Sequence, residues 1–97
     1  MVRHLVLFKF TDQGVRNLAD TLGRAEAFNA TAQKVGGSVK VQYWTVGRYD
    51  GAIVLEAPDE QTATALLANL AKLGNVRTES LRAFDRADME PIIAKMR

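Results

Sequence analysis

The chain has 97 residues, of which 47% are apolar and 25% are charged, and it contains no cysteine. This length predicts one domain, residues 1–97, and the composition is that of a globular protein, which excludes a disordered chain. The lack of cysteine excludes disulfides, thiolate metal sites and a cysteine nucleophile. The net charge of +2 comes from basic residues that form no run or patch in the sequence, so we expect no nucleic-acid partner.

No apolar run approaches the roughly 18 residues that a membrane span requires. The opening segment Val2 to Phe10 is interrupted by Arg3, His4 and Lys9, which is unlike a signal peptide. We therefore expect a cytoplasmic protein that has no membrane partner.

The first third of the chain predicts a strand followed by a helix. Residues Val2 to Phe10 are apolar at most positions, which predicts a strand with apolar side chains on both of its faces. Thr11 to Gly14 predicts a turn. Apolar residues then recur every three or four positions, which predicts an amphipathic helix from about Thr21, ended by Gly36-Gly37.

A hairpin is predicted in the middle of the chain. Two apolar runs, Val39 to Val46 and Ala52 to Ala57, flank a short polar corner. Gly47 and Gly51 can adopt positive φ there, and Asp50 can bond its own backbone in an Asx-turn.

The last part of the chain predicts a helix, a strand and a short closing helix. Asp59 is expected to cap the second helix, and Val76 to Phe84 is expected to form the fourth strand. Asp88 is expected to cap the closing helix, with Pro91 in its first turn. The order β-α-β-β-α-β predicts an α+β, ferredoxin-like fold: a four-stranded antiparallel sheet with two helices on one face.

The sheet face without helices leads to an expectation about assembly. Because the first strand is apolar on both faces, an uncovered face would expose a larger apolar patch than monomers usually do. The simplest cover is a second copy related by twofold symmetry. We therefore expect a homodimer through the sheet faces, that is, a dimeric α/β barrel with a cavity between the two sheets.

Several segments of the chain resemble the GYD domain family. They are Phe10 to Gly14, Tyr43 to Asp50, Glu56 to Asp59 and Leu73 to Phe84. The Gly-Tyr-Asp motif of that family is present as Gly47, Tyr49 and Asp50, with Arg48 inserted. The resemblance implies a small bacterial protein of the dimeric α/β-barrel type, generally without an assigned reaction.

The first strand is also similar to that of the stress-responsive dimeric barrel proteins, some of which cyclise polyketides with a histidine on that strand. His4 stands at the matching position, whereas residues 73–76 read Leu-Gly-Asn-Val where those proteins carry a His-Pro-x-x-His run. This similarity implies an alternative function, a cofactor-free cyclase, isomerase or monooxygenase that acts on an aromatic or polyketide-like substrate.

His4 is the candidate catalytic residue, because histidine is the side-chain type that ordinarily titrates near neutral pH and so can act as a general base. If the even-numbered residues of the first strand face the dimer cavity, His4 lies there beside Val6 and Phe8. The alternative is a hydrogen-bonded histidine at an interface, with no catalytic role.

Five residues around the hairpin are candidate ligand-binding residues: Tyr43, Trp44, Arg48, Tyr49 and Asp50. The aromatic rings could form the wall of a pocket for a flat ligand, and the charged pair could bind an anion. Alternation along a strand places Tyr43 and Trp44 on opposite faces. Packing of the rings, and turn closure by Asp50, are the structural alternatives.

No metal site and no cofactor are expected. A single histidine and scattered carboxylates do not supply three or four convergent ligands, and Gly36-Gly37 leads into a strand and not into a helix, as a phosphate loop would. We therefore expect a homodimer that binds a small apolar or aromatic molecule, with the enzyme as the alternative.

Overall fold

The computed structural model describes residues 1–96. Their strands are β1 (Val2–Phe10), β2 (Ser38–Trp44), β3 (Gly51–Ala57) and β4 (Val76–Ala83), and their helices are α1 (Asp12–Arg16), α2 (Thr21–Lys34), α3 (Glu60–Lys72) and α4 (Arg86–Ala94). A 3-10 turn, Leu18–Asp20, joins α1 to α2. The α+β class and the predicted order of strands and major helices are confirmed.

The strands form one antiparallel sheet in the order β2-β3-β1-β4, as a ferredoxin-like fold requires. Because side chains alternate along a strand, each face of the sheet takes every second residue. We call the side that carries Val6 and Leu55 the helix face, because α2 and α3 pack on it. The opposite side, which carries Leu5 and Val54, is the open face.

The hydrophobic core lies between the helix face and the two long helices. Val6 and Leu55 are fully buried at its centre. Burying side chains of this size stabilises the fold by roughly 1.5–3 kcal/mol each. The other buried members of the cluster are Phe8, Ala32, Ile53, Leu66 and Val76.

A β-bulge near Lys40 changes the register of β2. Val39 pairs with Leu55, whereas Val41 pairs with Val54, so β2 has one extra residue between these two pairs. A one-residue shift sends every later side chain to the other face of the sheet. The bulge therefore decides which aromatic residue of the hairpin points towards the helices.

The start of α4 differs from the sequence-based prediction. Asp85, and not Asp88, is the N-cap: its carboxylate accepts a hydrogen bond from the Asp88 N–H at 2.8 Å, and the Asp88 carboxylate accepts one from the Asp85 N–H at 3.0 Å. This reciprocal capping box satisfies two first-turn donors, so the helix begins earlier than predicted. Pro91 consequently lies beyond the first turn.

The segment after β1 also differs from the prediction. Thr11 to Gly14 does not form a simple turn but opens the short helix α1. The Thr11 hydroxyl caps this helix by accepting a hydrogen bond from the Gly14 N–H at 3.1 Å.

The hairpin corner is a six-residue loop, residues 45–50, since β2 ends at Trp44 and not at the predicted Val46. Gly47 has the expected positive φ, +142°. The expectation is wrong for Gly51, which has no positive φ and is the first residue of β3. A side chain at Gly51 would overlap the Phe8 ring, so this glycine permits a close approach and not a special backbone angle.

The chain is elongated, with extents of 51 × 31 × 18 Å, and α4 packs only weakly against the other elements. Arg3 holds its first turn through ion pairs with Asp85 and Asp88, at 3.3 and 2.9 Å. The apolar side chains Ile92 and Ile93 of α4 are exposed. Within residues 1–96, the helices are all too short or too polar to cross a bilayer.

Candidate functional site

An apolar cavity of about 470 Å³ lies between the sheet and the helices α2 and α3. This volume falls within the range of roughly 300–1,000 Å³ that is usual for small-molecule sites. Its apolar lining comes mainly from Val6, Phe8, Phe10, Ile53 and Val76 of the sheet, Ala25, Ala27 and Phe28 of α2, and Leu66 and Leu70 of α3. The alanines of α2 are too small to fill the space that they border.

Trp44 joins this lining because of the bulge in β2. Beyond the bulge, Trp44 and Gln42 point to the helix face and contribute to the cavity, while Tyr43 pairs with Ala52 and points to the open face. The Trp44 indole Nε1 donates a hydrogen bond to the Thr21 hydroxyl at 3.1 Å, which fixes the ring against the first turn of α2. The predicted placement of Tyr43 and Trp44 on opposite faces is confirmed.

The charged residues that line the cavity, within the described part of the chain, are Arg24 and Lys72, and both are basic. No aspartate or glutamate of residues 1–96 contributes to its wall. The remaining polar groups of the lining are neutral hydroxyls and amides, such as those of Gln42 and Asn69. The cavity is therefore apolar with a positive electrostatic bias.

His4 lies on the helix face, as do the other even-numbered residues of β1, and is 9% exposed. His4 therefore does not lie on the open face, where it would have to be to face a cavity between two sheets. Its Nε2 lies 3.0 Å from the Glu60 carboxylate, and its Nδ1 lies 2.7 Å from the Ser80 hydroxyl. Because a carboxylate only accepts hydrogen bonds, the Nε2–H of His4 is the donor of the bond to Glu60.

The His4 cluster, defined as His4, Glu60, Ser80 and Arg82, joins β1, β4 and the start of α3. Arg82 extends it through an ion pair from its Nε to Glu60 at 2.8 Å. The hydroxyl, the imidazole and the carboxylate follow one another in space, and in such an arrangement the histidine can accept the proton of the serine. However, none of these four described residues lines the 470 Å³ cavity, and the cluster meets only a separate, more open depression of about 430 Å³ on α3, which Glu60 borders. Catalysis by His4 stays a prediction.

Asp50 connects the hairpin corner to β1. Its carboxylate accepts a hydrogen bond from the Phe10 N–H at 2.8 Å, and its own N–H donates to the Phe8 carbonyl at 2.8 Å. These bonds extend the contact of β3 with β1 beyond the last ladder pair. Asp50 therefore links the start of β3 to β1. These contacts with β1 take the place of the Asx-turn that was predicted for Asp50.

Tyr49 and Arg48 lie over the polar end of the open face. The Tyr49 hydroxyl donates to the Glu79 carboxylate at 3.3 Å, and the cationic groups of Lys9 and Arg48 lie 5.5 and 5.6 Å from the centre of its ring. These distances suit cation–π attraction. The ring therefore anchors the loop to β1 and β4.

Of the five predicted ligand-binding residues, all within the described chain, the cavity lining includes Trp44 but not Tyr43, Arg48, Tyr49 or Asp50. Sequence reasoning missed Arg24 and Lys72, since an isolated basic residue on a helix usually faces solvent. It also missed Glu60 and Ser80 as partners of His4. No sequence signal links these residues, because 56 and 76 positions separate them from His4.

Metal-ligating side chains do not converge in the structure. Within residues 1–96, no group of three or more histidine, cysteine, aspartate or glutamate side chains is close enough to hold a metal ion.

Comparisons with known proteins identify the family of the chain. The GYD domain family matches residues 4–93. The chain is 33% identical over 90 residues to a protein of Thermus thermophilus named "Glutamine synthetase and cystathionine beta-lyase binding protein", and this match covers 92% of the chain and 95% of the relative. The search of solved structures found no match. The match to nearly the whole chain shows that this protein is a member of the GYD domain family.

Proposed function

We propose that the chain forms a homodimer and binds a small, largely apolar molecule in the cavity on its helix face. The observation that carries this proposal is the cavity itself, with about 470 Å³ of space and a wall built mainly from aliphatic and aromatic side chains. The cavity is partly open at its edge, where Trp44 and Leu73 are exposed, so its apolar wall is in contact with water. Covering that wall with an apolar ligand is favourable, which supports binding of such a molecule there.

The proposed binding site differs in place from the one expected from the sequence. That expectation put the chamber between the sheets of two copies. The cavity instead lies within one chain, between its sheet and its helices. Ligand binding and dimerisation are therefore separate properties and can be tested one at a time.

Binding in the cavity is tested by filling it. Ala25 lines the cavity, whereas Ala30 is exposed on the same helix and does not. We expect Ala25→Trp to abolish the thermal stabilisation that apolar and aromatic compounds give to the unchanged chain, while Ala30→Trp retains it. A ligand at 100 times its Kd adds about 2.7 kcal/mol to the unfolding free energy, which a thermal shift detects. Equal responses of the two variants would contradict the proposed site.

The homodimer is supported by the open face. Leu5, Val41 and Leu81 are exposed there, around the partly exposed Leu7 and Val54. Charged side chains border this apolar centre at both ends. Arg3 and Glu56 lie at one end, and Lys9 and Glu79 lie at the other. An exposed apolar centre with a polar rim is the usual composition of a protein interface.

Light scattering during gel filtration tests the dimer. We expect a mass of twice the 10.7 kDa of one chain. Leu81→Glu on the open face is expected to give a monomer, and Leu22→Glu, at an exposed position of α2, is the control that stays dimeric. A monomeric unchanged chain at micromolar concentration would contradict the dimer.

A second candidate function is the binding of other proteins. The relative from Thermus thermophilus is named for binding glutamine synthetase and cystathionine beta-lyase. In this chain, Met89, Ile92, Ile93 and Met96 at the C-terminal end are all exposed, which is what a protein-docking helix needs. Calorimetry with each purified enzyme tests this function, and Ile93→Glu is expected to weaken any binding that α4 mediates. Unchanged affinity would show that α4 is not the contact.

The enzyme alternative receives less support from the geometry. It needs His4 beside a substrate, but His4 is hydrogen-bonded on both ring nitrogens and lies outside the cavity. A stabilising role for His4 explains the same contacts.

A further inference from the structure

We infer that the ligand of the helix-face cavity has an apolar body and one carboxylate, and that Arg24 binds the carboxylate. This inference rests on the proposed function, because it names the chemical class of the molecule that fills the cavity. It predicts that an acid binds better than its neutral amide, which size and apolarity alone would not predict.

The first observation is an unsatisfied donor on Arg24. Its Nη1 donates a hydrogen bond to the Asn17 carbonyl at 2.7 Å, which ties the guanidinium to the turn before α2. Its Nη2 is buried and has no hydrogen-bond partner within residues 1–96. A buried donor without a partner is unfavourable, above all when it is charged, so folded proteins rarely leave one unpaired.

The second observation is the charge of the cavity wall. Arg24 and Lys72 are its charged members among the described residues, and no acidic side chain there balances them. The Nη2 of Arg24 is a cationic group removed from water without a partner, which is unfavourable, and an anion inside the cavity offsets that cost. Lys72 is exposed and adds positive charge at the edge of the cavity. A cationic ligand would meet repulsion from both residues.

The third observation concerns the shape of the donor and the composition of the wall. A guanidinium is planar and presents paired N–H groups that match the two oxygens of a carboxylate. The rest of the wall is apolar and includes the rings of Phe8, Phe28 and Trp44. An aromatic or aliphatic monocarboxylic acid fits both parts of the site.

The test compares acids with their neutral amides. Trp44 is the single tryptophan of the chain and lines the cavity, so its fluorescence reports binding. The probes are decanoate against decanamide and 4-phenylbutanoate against 4-phenylbutanamide, with calorimetry to confirm each Kd. We expect each acid to bind about 10-fold or more tightly than its amide, since a hydrogen bond to a charged group contributes about 1.5–3 kcal/mol.

Variants separate the anchor from the cavity. Arg24→Gln is expected to remove the preference for the acid and leave the amide affinity within about twofold, whereas Arg16→Gln, on the exposed surface of α1, changes neither. Acid and amide binding equally to the unchanged chain would overturn this inference but leave the proposed function standing. If neither acid nor amide binds, the proposed function and this inference both fail. If Arg24→Gln does not fold, the ratio of acid to amide affinity in the unchanged chain alone decides whether the inference stands.

Discussion

The two faces of the sheet differ in how they are covered. The helix face is closely packed around Leu55 and His4 but hollow around Phe8 and Val76, where the cavity lies. The open face lies opposite the packed helices α2 and α3, and Leu5 and Leu81 are exposed at its centre. A concave apolar surface suits a small molecule, whereas an exposed apolar patch with a polar rim suits another protein surface. One strand, β1, therefore contributes apolar side chains both to the wall of the cavity and to the open face.

The largest expected effect comes from the closed half of the helix face. Leu55 is fully buried, so Leu55→Ala is expected to lower the unfolding free energy by about 2–5 kcal/mol. Val54, its neighbour on the open face, is half-buried, and Val54→Ala should cost less than about 1.5 kcal/mol. Urea denaturation of the dilute chain measures both. Equal losses would contradict the distinction between the faces.

The second prediction concerns the stability that the His4 cluster gives to the helix face. His4→Ala removes one partner from both Ser80 and Glu60, and we expect a loss of about 1–3 kcal/mol in unfolding free energy. A double-mutant cycle with Ser80→Ala isolates the His4–Ser80 contact. Unchanged stability of His4→Ala would show that the cluster does not stabilise the fold and would return His4 to the catalytic alternative.

The clamp at the hairpin corner is expected to have a smaller effect. Asp50→Ala removes the acceptor of the Phe10 N–H, so stability should fall by about 1 kcal/mol. Arg48→Ala, at the exposed position two residues earlier, is expected to change stability by less than about 0.5 kcal/mol. If Asp50→Ala instead weakened ligand binding and left stability unchanged, the corner would be a binding site.

The smallest effect is a loss of stability in acid. The hydrogen bond from the Thr62 N–H lowers the pKa of Asp59 below its ordinary value of 3.8, and the hydrogen bond from the Asp85 N–H does the same for Asp88. Because the unfolded chain then binds protons more readily than the folded one, stability is full above pH 3.8 and falls as the pH drops through the lowered values.

Thermal unfolding between pH 2 and pH 7 measures this effect, with roughly constant stability expected above the ordinary carboxyl pKa values. Asp59→Asn is expected to flatten part of the acid slope. An unchanged slope in Asp59→Asn would show that its cap does not couple protonation to folding.

Much of the fold follows from local patterns. The boundaries of β1 match the prediction, and α2 begins at the predicted Thr21, because strand and helix periods are properties of short segments. The sequence does not locate the start of α4, because Asp85 and Asp88 are both good N-cap residues. Only the reciprocal hydrogen bonds between them make Asp85 the N-cap. The bulge near Lys40 follows from no local pattern in β2, although it reverses the faces of every residue after it.

The candidate site was much less predictable. Trp44 was found because aromatic residues are conspicuous, but its direction depends on the bulge. In the sequence, Arg24 resembles any exposed charge on a helix. The burial of its Nη2 arises only in the folded chain. The partners of His4 likewise come together only through tertiary structure, so a lone histidine could not be distinguished from a hydrogen-bonded one by sequence.

We propose that the helix-face cavity, and not the open face, receives the ligand. An NMR titration with 4-phenylbutanoate distinguishes the two through side-chain signals that belong to one face. We expect shifts at the Trp44 indole N–H and at the side-chain amides of Gln42 and Asn69, which line the cavity. Shifts confined to the Leu5 and Leu81 methyl groups of the open face would contradict it.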